Sequence, residues 1–114
     1  MALPEISRES AQRVLSTYCE QKIPMEFRDR LKLAFTFRGH SVTLFEERPA
    51  FRKPETWVQH KVAQFRMDKE TFEWSLFWAD RNGRWLPHTE FGPTRSFEHA
   101  LAEVERNPNG MFWG

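Results

Sequence analysis

Cysteine is almost missing from this chain: Cys19 is the only one. Without a second thiol the chain can close no internal disulfide and build no cysteine-rich zinc site, a pattern that suits a reducing compartment. The helical, apolar context of Cys19 marks it as inert filler. Long apolar runs are missing too. No stretch approaches the ~20 apolar residues that span a bilayer, and Met1-Ala2-Leu3-Pro4-Glu5 carries no basic segment leading into an apolar run. The expectation is a cytoplasmic protein with no membrane partner.

Glycine is scarce, and its five copies fall at turns and ends. Neither a glycine-rich phosphate cradle nor a Gly-x-Ser-x-Gly nucleophile turn is present. His40, His60, His88 and His99 are dispersed, with no pair at the helical spacing of metal ligands. His40 in a hairpin and His99 in a first helical turn read as solvent positions, and His60 as a core histidine. We expect no metal, no cofactor and no catalytic residue. The nearest approach to an acid–base cluster is His88 with Glu90, which lacks a third partner.

Aromatic rings are what the sequence has in quantity: 11 Phe and 5 Trp against 1 Tyr. Disordered chains have few rings to bury, so a folded, ring-rich core follows. At 114 residues the chain suits one domain spanning 1–114. Its net charge of +1 conceals a gradient. Residues 31–66 hold seven basic and three acidic side chains, residues 67–114 five and eight, and residues 1–30 five of each. Either the two later segments pair with each other, or the middle of the chain presents a basic face.

Hydrophobic periodicity orders the elements. Ile6, Ala11, Val14, Leu15 and Tyr18 recur at helical spacing within an N-terminal helix (1–24), with Ser7 placed to cap it and Ile6 to staple onto Ala11. Leu31, Leu33, Phe35 and Phe37 then alternate with polar or small residues. A Gly39-His40 turn would set Phe37 against Val42 and Phe35 against Leu44. A third strand over Trp57–Met67 breaks its alternation, which predicts a bulge or burial on both faces. Phe72, Trp74, Leu76 and Trp78 mark a fourth strand. Asp80-Arg81-Asn82-Gly83 reads as a type I turn, and Trp85-Leu86 as a short fifth strand. After the loop 87–95, Ser96 caps a helix (96–107) with the stripe Phe97, Ala100, Leu101 and Val104. The order gives an α+β fold: a curved antiparallel meander sheet over 31–87 with helices on one face. The tail (108–114) leaves a Pro-Asn-Gly stop and should fold Met111, Phe112 and Trp113 back onto the core, with Gly114 facing outward.

Two binding surfaces suggest themselves. Single-strand binders combine basic grooves with aromatic platforms on curved sheets, and Lys32, Arg38, Arg48, Arg52, Lys53, Trp57, Lys61 and Arg66 have that chemistry, with Phe51 and Phe65 nearby. The competing account makes the cations solvated strand ends and the rings core. Trp74, Trp78, Trp85 and His88 could instead line a small-molecule pocket beside the 87–95 loop, or floor a helix.

From Ser41 to the end, about two thirds of its length, the chain resembles a bacterial family known as a domain of unknown function, number 3024. The residues that carry the resemblance are Val42-Thr43-Leu44-Phe45-Glu46-Glu47-Arg48-Pro49, Trp57, Val62-Ala63-Gln64-Phe65-Arg66, Trp74, Leu76, Trp78 and Trp85, and Asn107-Pro108-Asn109-Gly110-Met111-Phe112-Trp113-Gly114. The ending is the most specific part. The resemblance implies a small cytoplasmic bacterial protein and brings no activity, cofactor or catalytic residue. Helix one lies outside it and reads as a local addition that packs on the sheet or mediates self-association. The leading expectation is a non-enzymatic binding or interaction module, with nucleic acid or protein as partner. The alternatives are a small-ligand binder or enzyme, and a homodimer built through a sheet edge or helix one.

Overall fold

The alternation between residues 31 and 48 becomes a hairpin in the computed structural model, which describes residues 3–113; Gly114 lies outside the described residues. Strands β1 (Lys32–Arg38) and β2 (Ser41–Pro49) pair antiparallel, with Phe37 opposite Val42 and Phe35 opposite Leu44, the register anticipated from sequence. Gly39 opens the two-residue turn at φ 57°, a conformation glycine adopts without steric cost.

Strand β3 (Trp57–Met67) contains a bulge, one of the two outcomes its broken alternation predicts. Leu44 pairs with Ala63 and Phe45 with Lys61, so Val62 is left without a partner. Val62 and Ala63 are both buried. The extra residue shifts the parity of the strand, so Trp57, Gln59 and Lys61 share a face with Gln64 and Arg66. Strand β4 (Trp74–Ala79) pairs with β3 only between Gln64↔Phe77 and Met67↔Trp74, and β5 (Trp85–Pro87) pairs with β4 beyond a turn in which the Gly83 N–H donates to the Asp80 carbonyl at 2.9 Å. The sheet runs β1-β2-β3-β4-β5 and is not closed.

One strand boundary differs from expectation. Phe72 lies outside β4, half exposed at φ 59°. The Asp68 carboxylate accepts the N–H groups of Glu70 and Thr71 at 2.8 and 3.0 Å, and this local turn holds the chain out of the ladder until Trp74.

Helices α1 (Glu5–Lys22) and α2 (Phe97–Arg106) cover one face of the sheet. The N-terminus of α1 is also built differently from its reading. Pro4 occupies the cap position, Ser7 lies inside the helix, and Ile6 is 81% exposed, so neither the Ser7 cap nor the Ile6 staple forms. The Leu3 N–H donates to the Gly39 carbonyl at 3.1 Å, which draws Leu3 rather than Ile6 into the core. In α2 the anticipated stripe Phe97, Ala100, Leu101 and Val104 is buried in full, and the Ser96 hydroxyl accepts the His99 N–H at 3.1 Å. The Phe97 ring sits 4.6 Å from Phe65 and 5.0 Å from Trp74.

The tail is a plug. Asn107 ends α2 in the left-handed region (φ 53°), and its side-chain oxygen accepts the N–H groups of both Phe112 and Trp113 at 2.9 Å. Phe112 is 5% exposed, and Trp113 Nε1 donates to the Val104 carbonyl at 3.1 Å. At the same end the Tyr18 hydroxyl and Lys22 ammonium of α1 both donate to Glu105 of α2, the latter at 2.7 Å, and Lys22 lies 5.1 Å from the Trp113 ring centroid. Burial, then the Glu105 carboxylate, raise the Tyr18 pKa above its ordinary value, so its hydroxyl remains a donor.

Candidate nucleic-acid interface

The period of two that points Phe35, Val42, Leu44 and Phe65 toward the helices points another set away from them. Lys32 and Arg38 on β1 and Lys61 and Arg66 on β3 occupy the helix-free face, against one carboxylate of the strands, Glu47. Rings stand among them. Lys32 Nζ lies 4.3 Å from the Trp57 centroid, Lys61 Nζ 5.4 Å from Trp85, and the Arg66 guanidinium carbon 3.7 Å from Phe77. Attraction between cation and ring face explains each pairing. Phe45 also belongs to this side, where it is buried under the layer of side chains and is absent from the core cluster beneath the helices.

Hydrogen bonds fix the layer in place. Arg66 Nε donates to Gln64 Oε1 at 2.6 Å, while Gln64 Nε2 donates to Thr43 Oγ1 at 2.9 Å. Lys61 Nζ donates to the Gly83 carbonyl at 2.6 Å, joining β3 to the β4–β5 turn. Partial burial lowers the Arg66 pKa, but a guanidinium stays charged in water. Among the described residues, no cation from 31–66 forms an ion pair with a carboxylate from 67–114. The charge gradient along the chain is therefore displayed on the surface.

The eight residues read from sequence divide three ways. Lys32, Arg38, Trp57, Lys61 and Arg66 come together on the open face. Arg48 faces the other way with the parity of Leu44, and its guanidinium binds Glu46 at 3.0 Å. Arg52 and Lys53 are exposed in the β2–β3 loop next to Phe51, which is 97% exposed.

Trp74, Trp78, Trp85 and His88 do not line one cavity. Trp74 is buried against Phe97, Trp78 edges a cleft described below, and Trp85 lies on the open face beside Lys61. His88 is buried, with Nε2 2.7 Å from Glu103 Oε2, while Arg106 donates to the same carboxylate from Nε and Nη2 at 2.8 and 3.0 Å. The Arg106 hydrogen bonds, helped by His88, pull the Glu103 carboxyl down to about 2. The ionised carboxylate can only accept, so His88 Nε2 carries the hydrogen it shares. With its lone pairs engaged by three donors, Glu103 pins the 87–95 loop to α2 and is not a free base. His60, read as a core histidine, is exposed: it pairs with Glu46 in the first half of β3, outside the buried stretch that starts at Val62. His40 is only partly exposed, and neither ring nitrogen finds a partner among the described residues. Burial pushes the Cys19 thiol up to about 11 and keeps it protonated at neutral pH.

One feature had no warning in the sequence. Past the bulge β3 parts from β4, and a cleft of about 1020 Å³ lies between Glu46, Arg48 and His60, the β4–β5 turn with Arg81 and Arg84, and the tail at Met111–Trp113. Its residues come from four separated segments.

Among the described residues, no three His, Cys, Asp or Glu side chains gather where they could hold a metal ion, and no helix is long and apolar enough to cross a membrane. A family model described as a domain of unknown function (DUF3024) matches residues 3–114. The chain belongs to that family. The DUF3024 match begins at residue 3 and so includes α1, which is part of the family unit and not an addition to it. The core agrees: Ala11 and Leu15 of α1 are fully buried against the sheet. Comparisons with curated proteins and with solved structures return no match.

Proposed function

We propose that this member of DUF3024 is a non-enzymatic binding module that takes a single strand of nucleic acid across the open face of its sheet. The observation that carries the reading is the trio of cation–ring pairs, Lys32 with Trp57, Lys61 with Trp85 and Arg66 with Phe77, all on the face without helices. Phosphates need cations at intervals, and unpaired bases need flat partners; this face offers both. A duplex hides its base faces and has no use for the rings, which favours single strands. The partial exposure of Trp57, Phe77 and Trp85 leaves room for a base to share each ring with its cation. A bacterial cytoplasmic setting suits the reading, on the strength of the family resemblance and the lone protonated thiol.

Fluorescence anisotropy with a labelled oligothymidylate tests it. Binding at low salt should weaken as salt rises, with a log–log slope of about −2 to −3 if the four cations meet phosphates at roughly −0.7 each. Quenching of tryptophan emission should accompany binding. An absence of binding in low salt would overturn the reading.

A further inference from the structure

The cleft past the bulge carries a second site, and we infer that it takes a phosphate ester joined to a flat heteroaromatic ring, the chemistry of a nucleoside monophosphate. The proposal stands on other residues than the open face, with Lys61 the one residue the two share. Arg48, Lys61, Arg81 and Arg84 converge on the cleft against two carboxylates, Glu46 and Asp80. Each carboxylate is already satisfied. Glu46 takes Arg48 Nη2 at 3.0 Å, and Asp80 takes Arg84 Nε at 3.1 Å while also accepting the Asn82 and Arg84 N–H groups at 2.8 and 2.9 Å. These pairs hold the two guanidinium groups in place and leave Arg48 Nε and Nη1, and both terminal nitrogens of Arg84, for an anion. Arg81 forms no ion pair among the described residues. The excess of positive charge is thus presented on donors suited to a phosphate's oxygens.

The apolar part of the lining supplies the ring partner. Trp78 edges the cleft from β4, and Met111 and Trp113 edge it from the tail. The tail reaches this position through Asn107, Asn109 and Gly110, all at positive φ (53°, 55° and 67°), which reverse the chain within four residues. Two of the three are not glycine, so the reversal is held at some conformational cost, as at many binding sites. With a volume of about 1020 Å³ the cleft accommodates a base, a sugar and a phosphate.

Isothermal titration of the full chain with AMP, inorganic phosphate and adenosine tests the inference. AMP should bind, and each fragment at least about tenfold more weakly, because each engages half of the site. Arg81→Ala with Arg84→Gln should weaken AMP by about tenfold or more. Both positions are exposed in the turn and Asp80 keeps its two backbone donors, so an unchanged melting curve should confirm folding. Arg66→Ala, on the open face, should leave AMP binding unchanged. Oligothymidylates with and without a 5′-phosphate identify the source of the ester. A gain from the phosphate that is lost in the Arg81/Arg84 variant means the cleft receives the end of a strand; no gain, with AMP binding kept, means a free mononucleotide. Failure to bind AMP at millimolar concentration, or equal AMP binding by the Arg81/Arg84 variant, overturns the inference and leaves the oligonucleotide result at the open face to stand or fall by itself.

Discussion

The two faces of the sheet come from the same strands and the same alternation, yet they are finished by opposite means. On the covered face, Val42, Leu44, Phe65, Trp74 and Leu76 meet Leu15, Phe97, Val104 and Phe112, and nearly every side chain is removed from water. On the open face the rings are covered only by the cations that lean over them, and those cations keep their charged ends in solvent. Apolar burial stabilises the first face, with contributions that run to a few kcal/mol per ring. The second gains little from its exposed charges, whose pairings are worth about 0.5–1 kcal/mol each. Stability therefore resides on one side of the sheet, and the proposed binding on the other.

The largest test of this division is the tail, which belongs to the covered face although it comes last in the chain. Phe112→Ala should cost about 3–5 kcal/mol in denaturant unfolding, and deletion of residues 111–114 should unfold or strongly weaken the protein. A truncated protein that melts like the full chain would remove the tail from the core and break the comparison at its strongest point.

A smaller effect comes from the polar pin at the margin of the covered face. Glu103→Gln should cost about 1–3 kcal/mol, since Arg106 and buried His88 lose a charged acceptor. The pH dependence has a definite sign. The Glu103 carboxyl lies at about 2 in the fold against an ordinary 4.5, so its contribution is full above the unfolded value and is lost as pH falls toward 2. The stability difference between wild type and Glu103→Gln should therefore shrink on acidification, as measured by denaturant unfolding at several pH values. A difference constant across that range would mean the carboxylate is not held by these partners.

Most of the covered face was legible in the sequence, because burial imposes a period. Phe35, Phe37, Val42 and Leu44 stated the hairpin register, and Phe97, Ala100, Leu101 and Val104 the helix stripe. The exceptions have local causes. Phe72 continued the apolar alternation, but the Asp68 carboxylate caps a turn there; Ile6 fitted the helical spacing, but Leu3, tethered to Gly39, took the place. The candidate interface was half legible. Five of the eight residues share a face, and Arg48 has the parity of Leu44, a sign in the sequence that it points the other way. The parity of Trp57 and Lys61 depends on the bulge at Val62, which the broken alternation offered as one of two readings and did not locate. The cleft was illegible because Arg48, Arg81 and Trp113 are brought together by the splitting of β3 from β4 and by three positive-φ residues in the tail. Neither event leaves a periodic trace.

The smallest expected change in stability belongs to the open face, and it is the most informative. Lys61→Ala with Arg66→Ala removes the cations from Trp85 and Phe77, and the hydrogen bonds to Gly83 and Gln64, without opening a cavity beneath the helices. Stability should change by about 1–2 kcal/mol, the sum of two cation–ring pairings at about 0.5–1 kcal/mol each. Affinity for an oligothymidylate should nevertheless fall, and the salt dependence should become shallower by about 1.4 if each cation accounts for roughly 0.7 of the slope. Measured together, the two readouts separate the faces. A variant that folds normally but binds weakly with a reduced slope assigns the lost function to these two cations, and unchanged AMP binding by the same variant places the loss on the open face and not in the cleft, which Lys61 also lines. Normal binding with an unchanged slope would show that the phosphates run elsewhere and that these cation–ring pairs merely cover Phe45, Phe77 and Trp85 from water, which would reduce the open face to a thinner version of the covered one.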